Sequence, residues 1–283
     1  MSQRIQAFEG EIAVERASDA DVMYEAPIGT RRYRLKLIGA RLAILALALS
    51  AWEIIGGDYV DTFWISQPSD IYAKLARWVS TGMLWYQVSI TLQEMMIGFL
   101  IGASTGIVIG FLLGRNDFLN RLLDPFIMAI YSLPKVALAP LFILWFGIDM
   151  KPKIVLAAVV VFFLVFYNTY AGVRDVDGDL VDVVRLMGGS RLQILLLVVL
   201  PSSLTWIFTG LKIAVPYALI GAVVGEIMAS NRGIGFLIEG SAGQFDTAGV
   251  FAALFVLMLI SVMLNELLSR SEGILLRWKA VGK

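Results

Sequence analysis

Cysteine and histidine are both absent from the 283 residues, and only 16% of the residues are charged. Without cysteine there are no disulfides, no thiolate nucleophile and no zinc–sulfur site, and redox usage says nothing about compartment. Without histidine, Ser-His-Asp and Cys-His arrangements and every His-based metal site are excluded. No G-x-x-x-x-G-K-[ST] phosphate loop occurs, so ATP is not bound by that route. Net charge is zero, from 23 basic and 23 acidic residues, so no basic excess points to nucleic acid. What is plentiful is apolar. Hydrophobic residues make up 58% and mean hydropathy is +0.78. Soluble proteins average about 45–50% apolar and about 25% charged residues, and a soluble fold could not hide this much apolar surface. The composition is that of an integral membrane protein, and it excludes disorder, collagen and coiled coil.

A membrane helix needs roughly 20 mostly apolar residues. Six stretches qualify, near residues 37–56, 88–113, 122–147, 154–172, 204–227 and 249–268. The first contains Arg41 and Glu53, the third Lys135 and the fifth Lys212. Loop lysines and arginines set orientation. With the N-terminus inside, the inner segments carry 15 (Arg4, Arg16, Arg31, Arg32, Arg34, Lys36; Arg115, Arg121; Arg174, Arg185, Arg191; Arg270, Arg277, Lys279, Lys283). The outer loops carry 5 (Lys74, Arg77, Lys151, Lys153, Arg232). Both termini are therefore expected in the cytoplasm. This makes 1–36 a cytoplasmic tail, 37–270 the transmembrane domain and 271–283 a second tail. Residues 1–30 are acidic and 31–36 basic, reading as a mobile tail before a membrane anchor, or as a docking element for a cytoplasmic partner. No short apolar stretch precedes a small-residue site within the first 36 residues, so no cleavable signal peptide is expected.

Two local patterns stand out. Ile71, Leu75, Trp78 and Val79 recur at helical spacing after Pro68-Ser69 and predict a short amphipathic helix lying on the outer membrane face, with Trp64, Trp85 and Tyr86 as interfacial aromatics. In the second span Gly98, Gly102, Gly106, Gly110 and Gly114 fall every fourth residue, near one helix face. Lipid supplies no hydrophobic force between helices, so glycine's close backbone approach matters. Intramolecular packing is the favoured reading over a subunit interface or sliding surface.

The loop of about 174–201 carries the most information. Asp179 or Asp182 is placed to cap or charge a helix start. Leu180, Val183, Val184 and Met187 give an apolar face, and Gly188-Gly189 ends the helix. Ser190 begins a second helix, expected to end at Pro201. Two short helices joined by a glycine turn make a knob suited to a groove of another protein. Counting back from Pro201 gives Leu200, Val198, Gly188 and then Asp182-Val183-Val184.

This spacing resembles the signature loop of importer-type ABC transporter permeases, whose usual Glu-Ala-Ala is Asp-Val-Val here. The likeness runs from about residue 67 to 253. It includes Gln67-Pro68-Ser69, the run from Ser132 to Leu141, Ile143-Leu144-Trp145-Phe146-Gly147, Phe166-Tyr167-Asn168-Thr169, Thr209-Gly210-Leu211-Lys212, and Gly233-Ile234-Gly235 after Glu226. It is most similar to the nitrate, sulfonate and taurine branch. The resemblance implies an all-α, six-helix, N-in/C-in permease in the bacterial inner membrane. Its partners would be a second copy, two cytoplasmic ATPase subunits that hold ATP and Mg, and an external substrate-binding protein. Asp182, Val183, Val184, Gly188, Gly189, Leu200 and Pro201 would form the ATPase-coupling element. The cargo would be a small solute of the nitrate, sulfonate or taurine kind. Bicarbonate, aromatic acids and thiamine-precursor pyrimidines lie in the broader branch.

An ammonium at mid-membrane costs about 2.5–3.5 kcal/mol or more, and such residues are usually functional or paired. Lys135 and Lys212 thus read as a cationic lining for an anion, or as partners of carbonyls freed by Pro134, Pro140 and Pro216. With Tyr131, Asn168, Thr209 and Tyr217 they form the expected translocation pathway. Glu226, Gly233 and Gly235 are expected at the outer gate or facing the binding protein. An ion-coupled secondary transporter is the alternative and would need acids at depth. An intramembrane hydrolase would need a paired carboxylate. Glu94 is the one acid read well inside spans two to five, and no pair of acids is expected there.

Overall fold

The computed structural model describes residues 31–276; the acidic stretch 1–30 and the tail bases Arg277, Lys279 and Lys283 lie outside the described residues. The chain divides into two compact units, Met1–Tyr59 and Val60–Lys283. In the first, α1 (Arg31–Ile54) runs into a π-helical turn, Ile55–Tyr59. The second holds α2 (Thr62–Ile65), α3 (Pro68–Ser80), α4 (Met83–Arg115), α5 (Asp117–Ser132), α6 (Ala139–Phe146) and α7 (Met150–Arg174). It continues with α8 (Gly178–Leu186), α9 (Arg191–Ile194), α10 (Leu200–Ala229), α11 (Ile234–Gly243) and α12 (Thr247–Leu275). All regular structure among the described residues is helical. Among the described residues five helices are long and apolar enough to cross a membrane, and α5 with α6 makes a sixth span if the bent pair counts as one.

The third span is not one helix. Leu133 is extended (φ −66°, ψ 136°) because the ring of Pro134 disfavours the helical region for the residue before it, and Pro134 brings no N–H. A 3₁₀ turn, Lys135–Leu138, follows, and the axis bends by 79° before α6.

The glycine stripe packs within the chain. Gly98 lies against Ala157 and Ile154, Gly106 against Phe162 and Val165, and Gly114 against Val173, so α4 and α7 run parallel in backbone contact. α10 packs antiparallel on α7, with Gly210 against Asn168, Gly221 against Ala157 and Gly225 against the stem of Lys153. The core follows these seams: Leu156, Ala157, Val161, Val165, Ala214, Ala218 and Ala222 are buried.

The amphipathic helix α3 does form, and it packs one face on protein. Ile71 and Trp78 are buried, and Lys74 pairs with Asp246, the N-cap of α12. A polar cleft of about 490 Å³ opens beside that pair, lined by Asp61, Asp70 and Arg77 among others. Burial alone would raise the Asp246 carboxyl. The hydrogen bonds from Lys74 and the Gly249 N–H, with the charges of Lys74 and Arg77, outweigh it and hold Asp246 below its usual range.

Gly106→Ala is expected to lower the melting temperature in detergent. Its Cβ would stand 2.8 Å from the Phe162 carbonyl oxygen, on backbone that cannot rotate away, and overpacking of this kind costs about 1–3 kcal/mol. Gly240→Ala, with nothing within 4 Å, is the control. Asp246→Asn is expected to cost about 1 kcal/mol at neutral pH through the cap and ion pair. A depressed native carboxyl contributes stability that is full above its unfolded value and is lost as pH falls through the native one. The gap between wild type and Asn should therefore close below roughly pH 4. A gap unchanged at acid pH would place the effect elsewhere.

Candidate functional site

The 174–201 segment projects a single short helix. Asp177, rather than Asp179 or Asp182, caps α8, its side chain accepting from the Asp179 N–H at 2.9 Å. Asp179 occupies the first turn, where its charge suits the helix dipole. Asp182 pairs with Arg185 at 3.0 Å on the exposed side. Gly188 stops the helix with φ +81°, a left-handed conformation that a Cβ disfavours. Gly189 tucks against Val184, where a Cβ has no room. Ser190 and Gln193 then make a capping box: Gln193 Oε1 accepts the Ser190 N–H, and Ser190 Oγ accepts the Gln193 N–H.

The second helix does not end at Pro201. α9 passes through a π-helical turn, Leu195–Val199, straight into α10. The wider turn, with the Leu200 N–H bonded to the Leu195 carbonyl, accommodates a proline that has no N–H to give. The knob is thus α8 leaning from the foot of α10, and Leu200 and Pro201 belong to that long helix. Leu180, Val183, Leu186 and Met187 are 51%, 53%, 89% and 82% exposed, an apolar face uncovered among the described residues. Leu186, the most exposed of them, is absent from the sequence reading because it falls off the face drawn through Val183, Val184 and Met187.

A second constellation went unread. Glu94 and Lys153 are 0% and 2% exposed and pair at 3.2 Å; the Lys153 ammonium also donates to Ser230 Oγ at 2.7 Å. Beside them Glu226, 1% exposed, accepts from the Thr91 hydroxyl (2.7 Å) and the Gly235 N–H (2.6 Å). Thr91 in turn accepts the Ile234 N–H at 2.8 Å, and Gln87 accepts the Gly233 N–H at 2.6 Å. Two expectations are corrected here. An acid pair does fall inside the spans, because α10 packs on α4 and α7 and brings Glu226, at the outer end of the fifth stretch, beside Glu94 and Lys153. Lys153, counted as an outer-loop charge, lies in the first turn of α7 and is buried. Glu226, Gly233 and Gly235 are buried as well, so they hold the start of α11 and present no surface from this protomer. Sequence carried one signal: Gln87, Thr91 and Glu94 fall at i, i+4 and i+7, one helical face.

The intramembrane lysines are both engaged. Lys135 donates to the Tyr131 carbonyl one turn back, and its ammonium sits 4.0 Å from the centre of the Tyr131 ring and 5.1 Å from that of Phe163. Tyr167 closes on Tyr131 with centroids 4.6 Å apart. A cation on aromatic faces is a favourable arrangement where water is scarce. Lys212 pairs with Glu272 across α10 and α12 rather than with a carbonyl freed by Pro216; Glu272 lies on α12 because that helix extends to Leu275. Asn168 donates to the Leu164 carbonyl (2.8 Å) and faces Gly210. Thr209 bonds its own helix at the Thr205 carbonyl, and Tyr217 is half-exposed. The break at Pro134 in the third span thus sets Tyr131 and Lys135 against α7, while Lys212 points to α12.

A family model described as the binding-protein-dependent transport system inner membrane component matches residues 106–273, a stretch that holds the knob, both intramembrane lysines and Glu226. The chain belongs to this family. It is 32% identical over 239 residues, 84% of this chain and 87% of the relative, to the putative aliphatic sulfonates transport permease protein SsuC of Bacillus subtilis. It is 32% identical to the formylaminopyrimidine transport permease protein ThiX of Halalkalibacterium halodurans, over 81% of this chain and 91% of that one. It is 34% identical to the riboflavin transport system permease protein RibX of Chloroflexus aurantiacus, over 77% and 81%. In fold it is similar to a permease chain in solved inward-facing structures of the MetNI methionine ABC transporter, with TM-score 0.52, 19% identity and coverage of 69% and 93%. This inner-membrane component is a multi-pass bacterial membrane protein of the ABC importer kind, and it is a permease rather than an enzyme.

Proposed function

We propose that the chain is the pathway-forming subunit of an ATP-driven importer in which two copies enclose one route. The observation that carries this reading is the α8 knob, an exposed apolar face on a short helix held by Asp177, Gly188 and the Ser190 capping box. A chain without a phosphate loop needs its drive from elsewhere, and a rigid apolar knob suits the groove of a cytoplasmic ATPase that holds ATP and Mg. One chain offers one knob, so two ATPase subunits call for two permease copies. Both termini then lie in the cytoplasm, and Met83, Met150, Ala229 and Thr247 mark the outer end, where an external binding protein delivers cargo. We infer a small organic or inorganic anion as that cargo, from Lys135 at the break of the third span and from sulfonate permeases among the relatives. An ion-coupled carrier would also use acids at depth. Here Glu94 is matched by Lys153 and Glu226 by Thr91 and Gly235, in a chain of a binding-protein-dependent family.

Gly188→Leu and Asp182→Lys are expected to insert normally and yet lose ATPase co-purification, or hydrolyse ATP without transport. At Gly188 the open surroundings leave backbone strain, about 1 kcal/mol or more, and the shape of the knob as the sources of the effect. Normal co-purification and normal cargo-stimulated hydrolysis for Gly188→Leu would move the coupling element elsewhere.

Lys135→Met and Lys212→Met are expected to cut uptake of an anionic cargo while the complex assembles. Lys212→Met also strips Glu272 of its partner, so Lys212→Met with Glu272→Gln separates pathway from packing. Wild-type uptake by both lysine variants would remove the anion argument.

A further inference from the structure

The cleft of about 490 Å³ beside Lys74 and Asp246 takes no part in the function proposed above. It is lined by one face of α3, where Asp70, Lys74 and Arg77 fall at i, i+4 and i+7, by Asp61 and Phe63 at α2, and by Phe245 with the first residues of α12. Lys74 and Asp246 satisfy each other. One oxygen of Asp61 accepts the Phe63 N–H at 2.9 Å. The side chains of Asp61, Asp70 and Arg77 are exposed and form no ion pair among the described residues. The cleft thus offers one cation and two carboxylates that its own residues leave unmatched.

Its lip is aromatic and held in place. The Thr247 hydroxyl donates to the Phe63 carbonyl at 2.5 Å. The N–H groups of Phe245 and Asp246 bond back to the Ala242 and Ser241 carbonyls at 3.0 and 2.8 Å. Phe245 is kept at φ +55°, a left-handed backbone under a large side chain that is 74% exposed. Such a conformation is costly and persists only where the surroundings impose it. The Phe245 ring stands 5.9 Å from that of Phe63, which meets Trp64 edge-on at 5.1 Å.

The depth of the cleft is set by the spans it adjoins. Thr247 and Ala248 open the α12 span, and α3 leads through Gly82 into the α4 span at Met83. The cleft is therefore level with the ends of two spans, where headgroups lie and where Trp and Tyr gather. Trp64, Tyr72 and Trp85 are all exposed at this level. Charge then selects the headgroup. The lining holds three acids, Asp61, Asp70 and Asp246, against two bases, Lys74 and Arg77, so a phosphate alone meets a wall of net negative charge. A headgroup that joins an ammonium to a phosphate answers both signs.

We propose that this cleft binds the headgroup of a zwitterionic aminophospholipid of the phosphatidylethanolamine kind. The ammonium lies at Asp61 and Asp70, the phosphate at Arg77, and the glycerol and first acyl carbons against Phe63 and Phe245. The lipid braces α3 against the start of α12 from the bilayer side. The reading needs only a membrane-spanning chain, so it stands or falls apart from the permease proposal.

The full chain, purified in detergent, tests it. Phosphatidylethanolamine added to the micelles should raise the melting temperature by several degrees, because a ligand of the folded state stabilises it. Phosphatidylglycerol at the same mole fraction should raise it by roughly half as much or less. Arg77→Gln, and separately Asp61→Asn with Asp70→Asn, should cut the phosphatidylethanolamine that co-purifies about five-fold and remove most of the shift. Asn keeps an oxygen for the Phe63 N–H, and Asp70 and Arg77 form no ion pair here. Both variants should therefore melt with wild type once lipid is stripped. Equal shifts from the two lipids, or wild-type lipid retention by Arg77→Gln, overturn the proposal. Free phosphoethanolamine should protect only weakly, since it leaves the rings uncovered; protection equal to that of the lipid would make this a site for soluble zwitterions and overturn the lipid assignment. An Arg77→Gln chain that keeps its lipid but no longer captures the external binding protein would make the cleft a protein-docking face, and the proposal would fall.

Discussion

Close backbone contact between α4 and α7 is the constraint on which the remaining architecture depends. In a membrane, apolar side chains gain nothing by leaving lipid for one another, so helix pairing rests on fit and on polar contacts. Gly98 to Gly114 remove the side chains along one stripe of α4 and let the α7 backbone seat there over about four turns. α7 then receives α10 through a second set of small residues, Gly210, Gly221 and Gly225. These three helices form a block with little freedom to slide, because each glycine is filled by a particular carbonyl or side chain of its neighbour.

That block makes the buried network possible. Gly225 makes room for the Lys153 stem, and the α4–α7 register brings Glu94 to its ammonium. A lysine and two carboxylates removed from water would be costly if loosely held. Here hydroxyl, amide and backbone N–H groups are drawn in from Thr91, Gln87 and residues 233–235, so the network ties α11 to the helices. The bent third span is built otherwise. Within α5 no described side chain is buried, and α6 contributes Ala139 and Phe142 to the core. Its proline break and the Lys135–aromatic cluster therefore lie on the exposed side of a firm scaffold, where a route or a second copy would sit.

The knob at the opposite end of α7 follows from local chemistry. Asp177, Gly188, Ser190 and Gln193 satisfy the backbone groups at its turns. Its shape thus owes little to the helices behind it. That would suit the proposed role of its apolar face in meeting a different protein.

Sequence alone determined what depends on short stretches of chain. The membrane class came from composition, the spans from runs matched to bilayer thickness, and the close-packed face of α4 from its four-residue glycine period. The knob came from cap and turn residues whose geometry is local. Tertiary structure decided what depends on distant residues meeting. Lys153 looked like an outer-loop charge because its neighbours in sequence are polar, yet α10 covers it. Glu226 looked outward-facing because it sits at the outer end of the fifth apolar run, yet α4 supplies Thr91 to it. Lys212 read as a pathway lining or as the partner of a freed carbonyl because Glu272 is 60 residues away. Pro201 looked like a helix end because proline usually is one, and only the following 28 residues of packed helix show why a π-helical turn is the cheaper solution. Periodicity reports which face of a helix is apolar. It does not report which helix will cover that face, and the pairing of charges at depth is decided by that choice.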